Sequence, residues 1–179
     1  MIDELLKFFV LFFVIVEPVT LVPVFAGLTE GASQIFRRRM AIKSVAVSGV
    51  MLTLFALGGS WFIGIMNISI DAFRIAGGVM LFLIALEMVF ARESGTKTTS
   101  EEKTEVQQRS DISVFPLAFP FIAGPGAMAT VLLTFGTLRP DTVLMLGLLG
   151  VIAIVLLITL VLMLLAQVVM RVIDRKSVV

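Results

Sequence analysis

Long apolar runs alternate with short polar stretches along the whole chain. Five runs reach the roughly 20 residues that a helix needs to cross a hydrocarbon core; they cover about 5–25, 41–66, 72–90, 112–135 and 143–170. The pattern predicts an all-α integral membrane protein with five transmembrane helices. One stretch, 92–111, differs from the rest. Its Ser94-Gly95-Thr96-Lys97-Thr98-Thr99-Ser100-Glu101-Glu102 run has too little apolar surface to offset the entropy of ordering. It reads as a flexible cytoplasmic linker between a first repeat, 1–91, and a second, 112–179.

The two parts share an interruption. The first span contains Glu17-Pro18-Val19-Thr20-Leu21-Val22-Pro23-Val24-Phe25. The fourth contains Phe119-Pro120-Phe121-Ile122-Ala123-Gly124-Pro125-Gly126-Ala127, with its prolines 102 residues further on. Proline removes a backbone donor and clashes with the preceding turn. In lipid such a break survives only where protein or a polar cavity re-satisfies the freed groups. Shifted by 102 residues, span one falls on span four and span two on span five. An odd number of spans per unit turns the second copy upside down, so the expected plan is a 3+3 inverted repeat. The counterpart of span three would start near Ile173, and the apolar pattern holds no sixth helix. Paired broken helices in two halves point to a transporter's binding site near the bilayer midplane.

Charge sets the expected orientation. Eleven of the fourteen Lys and Arg residues fall on one side: Arg37, Arg38, Arg39, Lys43, Arg92, Lys97, Lys103, Arg109, Arg171, Arg175 and Lys176. Only Lys7, Arg74 and Arg139 fall on the other. The positive-inside bias places the N-terminus outside and the C-terminus in the cytoplasm. The expected location is a prokaryotic inner membrane. The acidic Met1-Ile2-Asp3-Glu4 start is not read as a signal peptide.

Composition then narrows the chemistry. The chain is 59% hydrophobic and only 15% charged, against roughly 45–50% apolar in a soluble domain. It has no Cys, His or Tyr, so disulfides, thiolates, zinc sites and Ser-His chemistry are excluded. No paired-aspartate motif and no phosphate loop occurs in the spans. An enzyme is not expected, nor a cofactor, a metal or nucleic acid as a partner.

At the two breaks the chain resembles the MarC family of multi-pass membrane proteins, also classed as small neutral amino acid transporters. The family pattern Asp-Pro-x-Gly-x-x-Pro-x-Phe is matched by Glu17 to Phe25, with Glu17 in place of the aspartate and Thr20 in place of the glycine. Ala72-Phe73-Arg74-Ile75-Ala76-Gly77-Gly78, Phe115-Pro116-Leu117-Ala118 and Pro120 to Ala127 match as well. The resemblance covers nearly the whole chain and implies six helices, one more than the pattern provides. It also implies transport of small neutral amino acids.

Glu17 lies about 18 Å along a helix from Leu5, near mid-bilayer. A carboxylate there costs about 2.5–3.5 kcal/mol on insertion scales. Two readings stand. Glu17 couples transport to a proton or sodium ion, or meets a substrate ammonium; or it caps donors freed after Pro18. Gly124, Pro125 and Gly126 would let a ligand approach the backbone, with Ala127 opening a half-helix whose amides suit a carboxylate. Pro18, Thr20, Pro23 and Thr130 complete the expected substrate site. Ala76-Gly77-Gly78 reads as a helix-packing patch. Asp71 and Arg74 form an expected i,i+3 pair. Glu87 reaches the interface or pairs with Arg92. The function expected is a secondary transporter of a small zwitterion. The alternative is a non-transporting membrane interaction or assembly protein, or an inactive truncated homologue. A homo-oligomer covering the missing helix's edge is left open.

Overall fold

The computed structural model describes residues 1–89, 111–138 and 141–176. Every regular element among them is a helix: α1 (Ile2–Val16), α2 (Leu21–Leu28), α3 (Gln34–Ile65), α4 (Ile70–Val89), α5 (Ser113–Ile122), α6 (Pro125–Leu138) and α7 (Thr142–Lys176). The expected linker lies outside the described residues except for Asp111, as do Arg92 and the side chains of Arg74 and Glu87.

Three stretches are long and apolar enough to cross a membrane: Ile2–Leu28, Gln34–Ile65 and Thr142–Ala166. Ser113–Ile122 and Pro125–Gly136 make a fourth if the pair, bent by 57°, counts as one span. α4, with 20 residues, lies where the third of the five expected spans falls but is not in that set.

Helix starts follow their caps. α3 begins at Gln34, well before the expected 41, because the Ser33 hydroxyl accepts from the Phe36 amide at 3.3 Å. Arg37, Arg38 and Arg39 therefore ride in the first turns of the helix. Arg37 also donates through Nε to the Thr29 carbonyl at 3.1 Å, satisfying a carbonyl just after α2. Asp141 caps α7 through the Leu144 amide at 2.8 Å, and Ser69 caps α4 through Ala72 at 3.1 Å.

α3 and α7 form the middle of the bundle. α3 packs on α5, α6 and α7; α7 also takes α1 and α2; α6 takes α1 and α4. The buried stripe of α3 is Met40, Ala41, Ser44, Ser48, Leu52, Ala56, Gly59 and Ile63, spaced by three and four from Ala41 onward. Much of it is small. In lipid, helix association gains from close packing rather than from hiding apolar surface from water, which favours small residues at contacts. A Cβ on Gly59 would lie 3.0 Å from Leu132 of α6. Gly77 is buried too, and a Cβ there would meet Leu133 at 3.4 Å and Ala129 at 3.6 Å, ordinary contact distances, while Ala76 and Gly78 are exposed.

Thr29, Ser44, Ser48, Thr130 and Thr159 are buried hydroxyls, and each donates to a carbonyl of its own helix three or four residues back. No buried side-chain polar atom among the described residues lacks a partner.

Gly59 and Gly58 form a matched pair for test. Gly59→Leu forces atoms into Leu132, and overpacking of this kind costs about 1–3 kcal/mol. Gly58 has open space at its Cβ position. Thermal unfolding in detergent should show a lowered Tm for Gly59→Leu and no such drop for Gly58→Leu.

Candidate functional site

α1 stops at Val16 because Pro18 cannot continue it. Glu17 closes the helix in the left-handed region, φ 49° and ψ 56°, and its amide donates to the Phe13 carbonyl at 3.1 Å. That conformation is usually left to glycine and costs a residue with a Cβ about 1–2 kcal/mol. The donors after Pro18 are met by backbone: Leu21 donates to the Glu17 carbonyl at 3.3 Å and Val22 to that of Val19 at 3.2 Å. The half-buried Glu17 carboxylate makes no hydrogen bond or ion pair among the described residues, so it is not their cap. It stands at the negative end of α1, where free carbonyls already concentrate partial negative charge. That grouping of oxygens suits a cation.

Pro18 is buried, and Thr20 is exposed and makes no capping bond to α2. Pro23 is the third residue of α2, in a first turn whose amides have no intrahelical acceptor. It therefore makes no second break.

The second interruption is longer than the Gly124-Pro125-Gly126 break expected from sequence. It begins at Phe115 (φ −129°, ψ 127°) and recurs at Phe119 (φ −125°, ψ 129°), each extended before a proline. The peptides before Pro116 and Pro120 are cis. Two wide turns replace the regular ladder, Leu117 donating to the Ile112 carbonyl at 3.3 Å and Ala123 to Ala118 at 2.8 Å. The signal was the doubled Phe-Pro pair, Phe115-Pro116 and Phe119-Pro120.

A Cβ on Gly124 would sit 2.3 Å from the Pro120 carbonyl oxygen, so only glycine fits there. The first bond of α6 runs from the Met128 amide to the Gly124 carbonyl at 3.0 Å. Pro125, which is exposed, takes the first helical position, where its missing donor costs nothing. The amides of Gly126 and Ala127, both buried, have no carbonyl one turn back. They form a positive helix end. Thr130 is 2% exposed, and its hydroxyl is spent on the Gly126 carbonyl at 2.8 Å. α1 and α6 pack against each other, so the two broken spans are neighbours.

The sequence reading missed a polar seam along α3 and α5. Lys43 pairs with one oxygen of Asp111. The other oxygen accepts from the Ser113 amide at 3.0 Å and its hydroxyl at 2.5 Å. The Lys43 ammonium, and then Ser113, hold the Asp111 carboxyl well below the usual carboxylate range. Deeper in, the Ser48 hydroxyl donates to the Ser44 carbonyl at 2.8 Å and lies 3.5 Å from that of Ala118 in α5. Ser44 and Ser48, four apart in an apolar helix, were the available signal. No group of three metal-ligating side chains occurs among the described residues.

These features define a multi-pass helical membrane protein with interrupted spans. Residues 2–179 match the MarC family integral membrane proteins, and the chain belongs to that family. It is 39% identical over 125 residues to the UPF0056 membrane protein MJ0972 of Methanocaldococcus jannaschii, covering 70% of this chain and 55% of that one. It is 38% identical over 125 residues to YvbG of Bacillus subtilis, covering 69% and 59%. It is 35% identical over 124 residues to YhcE of Escherichia coli, covering 69% and 58%. The matched part thus spans little more than half the length of these relatives. No solved structure matches the chain.

Gly124→Ala must displace the Pro120 carbonyl, so this variant should lose several degrees of Tm or fail to purify as a monodisperse species. Gly27→Ala, with open space at its Cβ, should behave as the parent.

Asp111 yields a pH prediction. Its folded-state pKa is depressed, so its contribution is present above the unfolded value and drains away as pH falls toward the folded one. With 41% of the side chain exposed, the effect is small and screened by salt. The Tm difference between parent and Asp111→Asn should shrink from about pH 5 to about pH 3, and shrink again in high salt.

Proposed function

We propose that this chain is a secondary transporter of small neutral amino acids or similar small zwitterions. The observation that carries the reading is the presence of opposite helix ends on two spans that pack against each other. α1 ends in carbonyls with a free carboxylate, Glu17. α6 begins with two buried amides, Gly126 and Ala127, behind a glycine that admits no side chain. The first grouping suits an ammonium or a coupling proton or sodium ion. The second suits a carboxylate. A zwitterion carries both ends.

The packing supports an inverted repeat as the frame for this site. Under the 102-residue offset, α1 and α2 correspond to α5 and α6, and α3 to α7. Each broken pair packs on the other half's long helix: α5 and α6 on α3, α1 and α2 on α7. Rocking one half against the other would then expose the site alternately. The Lys and Arg bias supports a cytoplasmic C-terminus in a prokaryotic inner membrane. Thr20 and Thr130 take lesser parts: Thr20 is a hydroxyl contact at the first break, whereas Thr130 holds the Gly126 carbonyl and shapes the second.

The test is counterflow of labelled glycine and alanine into proteoliposomes. Saturable uptake driven by unlabelled small amino acids is expected. Glu17→Gln should lower it on the order of tenfold or more, since a hydrogen bond to a charged group is worth about 1.5–3 kcal/mol. Equal uptake by the variant would reduce Glu17 to a structural carboxylate. No counterflow from folded parent protein would overturn the small-amino-acid reading and favour an assembly role.

A further inference from the structure

We infer that the first break holds a sodium ion, bound by the carbonyls of Val14, Ile15 and Val16 and by the Glu17 carboxylate at the end of α1. The inference deepens the transport reading by naming the coupling ion of that site. It rests on that reading for its purpose, but not for its test.

A helical carbonyl accepts from the amide four residues on. The last three carbonyls of α1 have no such donor among the described residues. Pro18 has no amide to offer Val14. The amides of Val19 and Thr20 make no backbone bond to Ile15 and Val16, and the Glu17 amide goes to Phe13. The repair beyond Pro18 runs forward only, from Leu21 to Glu17 and from Val22 to Val19. Val16 is 2% exposed, so its carbonyl is shut away from water as well as unpaired. Such a group is rare in a folded protein, and it is costlier inside an apolar span, here Ile2–Leu28, than at a wet surface. The carbonyls of a helix point toward its C-terminal end, and at that end Glu17 carries its unpaired carboxylate.

The donor set selects the occupant. Carbonyls at the end of a broken helix, joined by a carboxylate, are oxygen ligands of the kind that hold an alkali cation. A proton on Glu17 would serve one carbonyl and leave two unpaired. A divalent ion draws on more carboxylates than one, and no group of three acidic or other metal-ligating side chains occurs among the described residues. One sodium ion balances the one carboxylate and so removes a net charge from mid-span. Few ligands on a single helical turn suit the smaller sodium better than potassium. The carboxylate has two oxygens, so one can face the ion while the other stays open to a substrate ammonium.

The protein, purified in detergent with choline chloride, would be titrated with NaCl at constant ionic strength while its Tm is followed by circular dichroism. For a ligand that binds only the folded state, each tenfold rise in sodium above the dissociation constant should add about 3–5 °C. KCl should add less. Glu17→Gln should abolish the response, and Glu17→Asp, which keeps the charge, should retain a weaker one. Pro18→Ala returns an amide to the Val14 carbonyl and lets α1 run on. It should lose the response whatever its own starting Tm, and it carries the test should Glu17→Gln fail to fold. A parent Tm that is the same in sodium, potassium and choline would overturn the site. So would an equal rise in KCl, or a sodium response that either Glu17→Gln or Pro18→Ala keeps. A sodium response without counterflow would keep the site and sink the amino-acid reading, whereas counterflow with a Tm indifferent to sodium would do the reverse.

Discussion

In hydrocarbon, an amide or carbonyl without a partner costs far more than it does at a wet surface, and a helix is the simplest way to pair them all. This chain breaks that ladder in two neighbouring spans. How the freed groups are paired governs the rest of the structure. At the first break the repair is local: four residues suffice, the Glu17 and Val19 carbonyls take the next amides, and the span runs on to Leu28. At the second, ten residues depart from the ladder and the span bends by 57°. Wide turns repair part of it, and the hydroxyls of α3 lie alongside the remainder. A Ser in an apolar helix is tolerable because it can bond its own preceding turn. Ser48 does this and still approaches Ala118.

The two repairs leave opposite charges behind. A C-terminal helix end is negative and an N-terminal one positive, whatever side chains are present. Glu17 increases the negative end, at a backbone conformation that glycine would take more cheaply. Its carboxylate is one that nothing among the described residues neutralises, and strained backbone of this kind clusters at functional sites. Gly124 is the converse case. Its conformation leaves no room for a side chain, and the buried amides beyond it have no carbonyl one turn back.

Much of this was legible in the sequence. Apolar run length located the helices, and the prolines located both breaks, because each rule rests on one residue's covalent geometry. What was not legible depended on partners distant in sequence. Pro23 was expected in the substrate site and stands in the first turn of α2, since whether a proline interrupts depends on where the helix has already restarted. The early start of α3 was missed because Ser33 and the arginines look like loop until the cap is seen to form. Asp111 sat at the edge of a polar stretch and gave no sign of its contact with Lys43, 68 residues earlier. Thr130 read as a ligand contact by its depth alone; its hydroxyl turned inward onto Gly126.

The packing of α3 joins these threads. One stripe of this helix supplies an ion pair at its charged end, hydroxyls beside the irregular backbone, and a glycine where α6 must come closest. The order follows the needs of the neighbouring span. Charge lies where water is near, hydroxyls lie where carbonyls lack a ladder, and no side chain at all lies where a regular helix can simply press in. α7 also sets a glycine against the first broken span, since a Cβ on Gly147 would lie 2.9 Å from Leu5 of α1, but its buried residues are otherwise mostly Leu, Ile and Val, with Thr159 as its buried hydroxyl. That difference matches the difference between the breaks. A span repaired by its own backbone needs only apolar contact from its neighbour, whereas one that stays irregular over ten residues needs polar contact as well.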